Sequence, residues 1–441
     1  MAAAVPPPAR LTQRDRMTAL ADRVHLADRA QFLERLAAAL AAPRPGLEAG
    51  PALLLLDLDR FKRVKASIGE QAGEALLRAA GRRLRSALRE TDAAARLGGD
   101  TFAALFAAPA RREAVAALAT RLLELFARPY VVNGRVALVG ASIGIALAPP
   151  GGAAPETLLT DAELALRAAK AAGCGGFRFF DPSMRTEAES RRALEQELHA
   201  ALPLEQFELH YQPQVALASD RLIGFEALIR WRHPVRGLMR PDRFLPLAAE
   251  IGLSSAIGEW VLRAACAEAA RWPDHIHVAV NLTPEEVRSG RVLPGVARAL
   301  RDSGLSGPRL EIELTETALL HPTAEALAQL EGLHRLGVRI SLDDFGTGYS
   351  SLSQLRSFPF DGVKIDRRFA EDAAVLRAVA GLGEALGMRS TAEGAETPAH
   401  LAGMRRAGCT SVQGYLLGRP MPASEVPAAI AARPGRCVPA A

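Results

Sequence analysis

From about residue 207 onward the chain alternates strand-like and helix-like segments, and this rhythm restricts the fold more than any other feature. The strand candidates are "FELHYQPQV", "LIGFEALIRW", "IHVAVNLT", "RLEIELTE", "VRISLDDF", "GVKID", "RSTAEGAE" and "TSVQGYLLG", and helical segments separate most of them. Eight strands in about 210 residues, joined by helical crossovers, predict a (β/α)8 barrel.

The preceding half reads differently. An amphipathic helix around "ADRAQFLERLAAAL" leads to a strand, "ALLLLDLD", and a second helix, "GEALLRAAGRRLRSAL". A hairpin turning at Gly98–Gly99, a helix over "REAVAALATRLLELFA", strands near 130–148, a helix near 160–172 and a strand "GFRFF" follow. Helices mixed with short, hairpin-linked strands predict an α+β sheet domain. The expected boundaries are a flexible leader over 1–11, the sheet domain over 12–181, a polar linker helix over 182–200 and the barrel over 201–435.

Bulk properties narrow the function. A length of 441 residues accommodates two or three domains, each with a sizeable core. The formal charge of +5, with no long Lys/Arg block, argues against nucleic acid as the partner and suits a phosphate-bearing substrate equally well. No stretch approaches the ~18 uninterrupted apolar residues of a membrane span. The N-terminus lacks the charged region and apolar core of a secretion signal, so the expected location is cytoplasmic. The four cysteines are scattered, with neither metal-type spacing nor a disulfide framework.

Barrel enzymes build their sites at the C-terminal ends of the strands. In chain order those ends carry Glu226 and Arg230, Asn281, Glu313 and Glu316, Asp343 and Asp344, Lys364 and Asp366, Glu393 and Glu396, and Gln413. Singly, each reads as a rim residue, a salt-bridge partner or a helix cap. Together on one barrel face they read as a site. Carboxylates gathered in one cavity repel unless cations neutralise them, and oxygen-only ligands suit Mg²⁺ or Mn²⁺ rather than zinc. Adjacent aspartates can flank two ions, as in two-metal hydrolysis of phosphate esters. Arg230 suits a phosphate oxygen through its planar fork. The loop in "DDFGTGYSSL" is a candidate lid.

The motifs "FEALIRW", "VNLT", "ELTE", "DDFGTGYSSL", "KIDR", "AEGAE" and "QGYLLGRP", in this order, resemble the EAL-domain family over roughly residues 190–430. The resemblance implies a phosphodiesterase that opens cyclic di-GMP to linear pGpG with two Mg²⁺ or Mn²⁺ ions. Carried over by motif, Glu226, Asn281, Glu313 and Asp343 are metal ligands, and Asp344 serves the second ion. Lys364 contacts the nucleophilic water, Glu393 and Gln413 complete the metal and water shell, and Arg230 and Gln212 bind substrate. The same resemblance implies a homodimer formed through the barrel. Two departures stand out: the segment between "KIDRRF" and "AEGAE" is shorter than usual, and Ala249 occupies a position where an acid is common.

The first half resembles the GGDEF-domain family of diguanylate cyclases, from "MTALADR" through "DLDRFKRV" and "RLGGDTF" to "LRAAKAAG". Asp57 and Asp100 match its metal-binding acids, but Thr101 stands where the motif has Glu. Lys65–Ala66 replace an Asn–Asp pair that reads guanine, Glu70 replaces a histidine, and Cys174–Gly175–Gly176 replace a basic, amide-bearing segment. Lys and Ala cannot reproduce the amide and carboxylate pairing to a guanine edge, where discrimination is strongest. Thr101 removes a negative charge beside the metals. Synthesis is therefore not expected, while GTP remains a candidate effector of the barrel. "RETD" carries Arg89 and Asp92, which match the family's inhibitory product-binding site. The expected function is a metal-dependent cyclic di-GMP phosphodiesterase with an inactive cyclase-like domain. The alternatives are a non-catalytic cyclic di-GMP receptor and a bifunctional enzyme.

Overall fold

The computed structural model describes residues 26–42, 50–106, 111–149, 152–316, 323–346 and 358–432. The expected leader and most of the candidate lid, 347–352, lie outside these residues. The chain divides into two compact units, Met1–Arg192 and Ala193–Ala441. No helix among the described residues is long and apolar enough to cross a membrane.

The strands of the first unit are β1 (Ala52–Leu58), β2 (Ala93–Gly98), β3 (Thr101–Phe106), β4 (Tyr130–Val132), β5 (Arg135–Ala137), β6 (Ala141–Leu147) and β7 (Phe177–Phe179). Five of them form one sheet in the order β2-β3-β1-β6-β7, and β4 pairs only with β5. β1 is apolar on both sides because both faces of the sheet are covered. Leu54 and Leu56 pack with the helices Glu70–Ala87 and Arg112–Ala127, and Leu53 and Leu55 with the helices Arg29–Ala41 and Pro155–Ala171. Gly98 and Gly99, at φ 150° and 54°, make the tight turn that brings Asp100 beside the end of β1.

The second unit contains β8 (Phe207–Ala216), β9 (Arg221–His233), β10 (Gly237–Met239), β11 (His277–Leu282), β12 (Leu310–Thr315), β13 (Arg339–Phe345), β14 (Gly362–Ile365), β15 (Arg389–Ala392), β16 (Ser411–Gln413) and β17 (Met421–Pro422). The closed barrel runs β8-β9-β11-β12-β13-β14-β15-β16 and back to β8, which gives the eight expected strands. Their direction differs in one place: β8 is antiparallel to both β9 and β16. Only Leu217–Asp220 join β8 to β9, and a parallel neighbour needs a crossover of about a dozen residues or more. Period-two alternation then sorts the side chains. In β12, Leu310, Ile312 and Leu314 enter the apolar core, while Glu311 and Glu313 alternate with them.

Candidate active site

Each barrel strand delivers at least one polar side chain to the same end of the barrel. β8 supplies Gln212, β9 Glu226, β11 Asn281, β12 Glu313, β13 Asp343, β14 Lys364 and β16 Gln413, with Glu393 directly after β15. Caps fix where some of these strands stop. Thr283 forms a capping box with Glu286, and Pro284 takes the first helical position, so the chain turns away two residues after Asn281. After Glu393 the chain needs Gly394 at φ 74°, because a Cβ there would lie 2.6 Å from Arg367 Cβ.

Lys364 is the centre of the ring. Its Nζ lies 2.8 Å from Glu313 Oε2 and from Glu393 Oε1, and 3.4 Å from Glu226 Oε2 and from Asp343 Oδ1. Burial opposes its charge, but these carboxylates outweigh burial and hold the ammonium well above its usual range. Glu226 is also positioned by Gln413 Nε2, donating at 2.6 Å, and Asn281 Nδ2, donating at 2.6 Å. Burial pushes Glu226 up, yet Lys364 and these two donors leave its carboxyl below the usual range. Gln413 Nε2 donates to Gln212 Oε1 as well, at 3.0 Å.

One ammonium does not balance the other carboxylates. Glu313 is driven well above its usual range by burial and by the charges of Glu226 and Asp343, against Lys364. Burial and the charges of Asp343 and Glu226 push Glu393 up to about 8. Burial, Asp343 and a hydrogen bond with Asp366 push Asp344 up to about 6. Glu313 Oε1 is buried with no hydrogen-bond partner among the described residues. Oxygens of Asp343, Asp344 and Glu393 lie within 4.8 Å of one another. An orphaned carboxylate oxygen, surplus negative charge and an all-oxygen donor set fit hard divalent cations.

The pairing of two adjacent aspartates in one cluster is a tertiary feature. Neighbouring residues of a regular strand point to opposite faces. Here the β13–β14 register shifts between Leu342 and Phe345, and Asp344 adopts φ 56°, so the alternation is broken at this point. Asp366 does not join the Lys364 ion pairs; it caps the next turn by accepting from Arg368 N at 2.7 Å. Arg230 is buried and donates through Nη1 to Ile229 O at 2.8 Å. Glu316 is buried, and Glu396 is exposed. Gln214, overlooked in the sequence, donates to Gln413 Oε1 at 3.0 Å. Its signal was its spacing of two from Gln212, which places both on one strand face.

In the first unit several positions that depart from the cyclase motif bond to neighbouring polar groups. Thr101 Oγ1 donates to Asp57 Oδ2 at 3.1 Å, and Lys170 Nζ lies 2.5 Å from Asp57 Oδ1. Lys65 pairs with Glu70 at 2.6 Å. Asp59, next to this edge, accepts from Ser142 Oγ and from Gly175 N. Asp92 is buried and accepts from Arg89 N at 3.0 Å; the Arg89 guanidinium lies over the Phe106 ring.

Comparison with known proteins follows the same division. The EAL domain family matches residues 195–420, and the diguanylate cyclase GGDEF domain family matches residues 12–175. The bifunctional diguanylate cyclase/cyclic di-GMP phosphodiesterase MucR of Pseudomonas aeruginosa is 41% identical over 391 residues, covering 86% of this chain and 57% of that protein. The cyclic di-GMP phosphodiesterase NbdA of the same organism is 40% identical over 384 residues, covering 85% and 49%. The chain thus spans about half the length of these relatives. A solved structure of the MucR phosphodiesterase in complex with c-di-GMP superposes with a TM-score of 0.51 at 42% identity, covering 53% of this chain and 99% of that one. Matched through both halves in this order, the chain belongs to the tandem GGDEF–EAL family.

Proposed function

We propose that the barrel is a metal-dependent phosphodiesterase that hydrolyses cyclic di-GMP to linear pGpG, and that the first unit makes none. The observation that carries this reading is the set of eight polar side chains at one barrel end, seven of them gathered around Lys364, which the carboxylates outnumber. Glu226, Asn281, Glu313, Asp343, Asp344 and Glu393 are the residues that would hold two Mg²⁺ or Mn²⁺ ions. Bound ions of this kind polarise the phosphate and lower the pKa of a water.

The chain's own groups account for the rest. Water adds to phosphorus, the P–O3′ bond breaks, and the proton the water loses ends on O3′, leaving a 5′-phosphate and a 3′-hydroxyl. Lys364 donates to the attacking water and orients it, and Glu393, beside it, takes up a proton. The Arg230 guanidinium holds a non-bridging phosphate oxygen, and Gln212 and Gln413 fix the orientation of Glu226 and of the substrate.

MucR carries a bifunctional name, which makes synthesis the second reading. The Lys65–Glu70 pair and the Thr101 and Lys170 contacts to Asp57 favour an inactive cyclase site, with GTP as a ligand at most. A purely receptor role has no use for a water-orienting lysine. The resemblance also supports a homodimer through the barrel, which light scattering would read. The test is incubation with cyclic di-GMP and Mg²⁺ or Mn²⁺, followed by chromatography. Formation of pGpG is expected; bound but unconverted cyclic di-GMP would establish the receptor instead.

A further inference from the structure

The opposite end of the barrel holds a second polar cavity of about 500 Å³, at the N-terminal ends of the parallel strands. Arg339 begins β13, Arg389 begins β15, His277 begins β11, and Thr410 and Ser411 add hydroxyls to the wall. The two guanidiniums share one buried carboxylate. Glu311 Oε2 lies 3.0 Å from Arg389 Nη2 and 3.9 Å from Arg339 Nε, which has no hydrogen-bond partner among the described residues. A third arginine, Arg309, is committed to the backbone carbonyls of Ile276, Ala269 and Trp272 and to Asp274. The cavity therefore presents two partly open guanidiniums that share the buried Glu311 carboxylate, with Asp274 also on its wall and the Asp361 charge acting on Arg339.

A chain of hydrogen bonds runs from this cavity to the catalytic ring. His277 Nε2 lies 2.9 Å from Gln214 Oε1, Gln214 Nε2 donates to Gln413 Oε1 at 3.0 Å, and Gln413 Nε2 donates to Glu226 Oε2 at 2.6 Å. With Nε2 protonated, every donor points toward the Glu226 carboxylate, so each bond polarises the next. Glu311 Oε2 is 3.4 Å from the same His277 nitrogen and competes for it.

We propose that this N-terminal mouth binds a phosphate group between Arg339 and Arg389, and that its occupancy is transmitted to Glu226 through His277, Gln214 and Gln413. Forked guanidiniums and hydroxyls match a phosphate dianion. The anion draws the guanidiniums from Glu311, Glu311 Oε2 then competes better with Gln214 Oε1 for the hydrogen bond of His277 Nε2, and the donors to Glu226 weaken. The binding half of the proposal stands on the cavity alone; the coupling half rests on the phosphodiesterase reading.

Inorganic phosphate is titrated calorimetrically into the full-length protein after EDTA treatment, when the catalytic carboxylates repel anions. Binding should weaken at least about tenfold in Arg339→Gln and in Arg389→Gln, and hold in Arg335→Gln, a change at an exposed residue outside the cavity wall. Losing Arg389 strands buried Glu311 and threatens folding. Phosphate protection of both arginines from phenylglyoxal in the unaltered protein, mapped by mass spectrometry, is therefore the second readout. Tighter binding of glycerol 3-phosphate than of phosphate points to a metabolite monoester; the reverse order points to the free ion. No phosphate-dependent heat or protection, or equal binding in both variants, overturns the site. With Mg²⁺ and cyclic di-GMP, phosphate should lower kcat at constant KM, and Gln214→Leu should abolish that response while still binding phosphate. A rise in KM alone means competition at the catalytic end and overturns the coupling. Absence of any hydrolysis counts against the phosphodiesterase reading and leaves the binding result standing.

Discussion

Lys364 is held by four carboxylates at 2.8–3.4 Å, and its proposed work lies in the transition state rather than in docking. Lys364→Ala should therefore lower kcat by about 10²-fold or more with little change in KM, measured by steady-state pGpG formation. Loss of affinity at constant kcat would recast it as a phosphate clamp. Glu393, at about 8, and Asp344, at about 6, hold protons in the metal-free site that cations must displace. Mn²⁺ affinity should accordingly rise from about pH 5.5 to about pH 8, with protons released on binding, as calorimetry in two buffers would show. The same raised values set the sign for stability. Between the ordinary carboxylate range and about pH 8, the folded chain keeps protons that the unfolded chain has lost. Metal-free protein should thus lose melting temperature as pH rises through that window, and Mn²⁺ should restore it.

Two irregular elements shape the barrel end. The short β8–β9 link makes an antiparallel hairpin, which sets Gln212 opposite Glu226 in register. The shift at Asp343–Asp344 turns adjacent residues toward one cluster. In the first unit the sensitive contact is between β6 and the helix Pro155–Ala171. A Cβ on Gly144 would lie 2.1 Å from Ala162 O and 2.2 Å from Leu166 N, backbone atoms that cannot swing aside. Gly144→Ala should cost about 1–3 kcal/mol or more and speed amide hydrogen exchange in β1 and β6. Unchanged exchange there would mean that sheet and helix separate freely.

At the scale of the whole molecule, hydrolysis is proposed for the barrel and no synthesis for the first unit. Full-length protein carrying Glu226→Ala, so that no product is destroyed, should make no cyclic di-GMP from GTP and Mg²⁺. Thr101→Glu alone should not restore synthesis, because Lys65 and Ala66 would still stand in place of the Asn–Asp pair that the cyclase resemblance implies for guanine. Chromatographic detection of cyclic di-GMP in either variant would make the protein bifunctional. GTP acts as an effector only if it binds better to the active arrangement than to the resting one. Faster hydrolysis with GTP, lost in Asp57→Ala, would establish that role.

Strand number, the α+β character of the first half and the strand-end polar residues were legible in the sequence, because burial imposes a period of two on strands and 3.6 on helices. The four-residue link before Arg221 also announced an antiparallel hairpin, yet the alternation around it hid this. Three things were decided by tertiary structure. The broken alternation at Asp344 depends on pairing with β14, which no local pattern encodes. The satisfaction of Asp57 by Thr101 and Lys170 joins residues far apart in the chain. The line from His277 through Gln214 to Gln413 exists because barrel closure brings β11, β8 and β16 together, and contacts made by closure carry no signal in local sequence spacing.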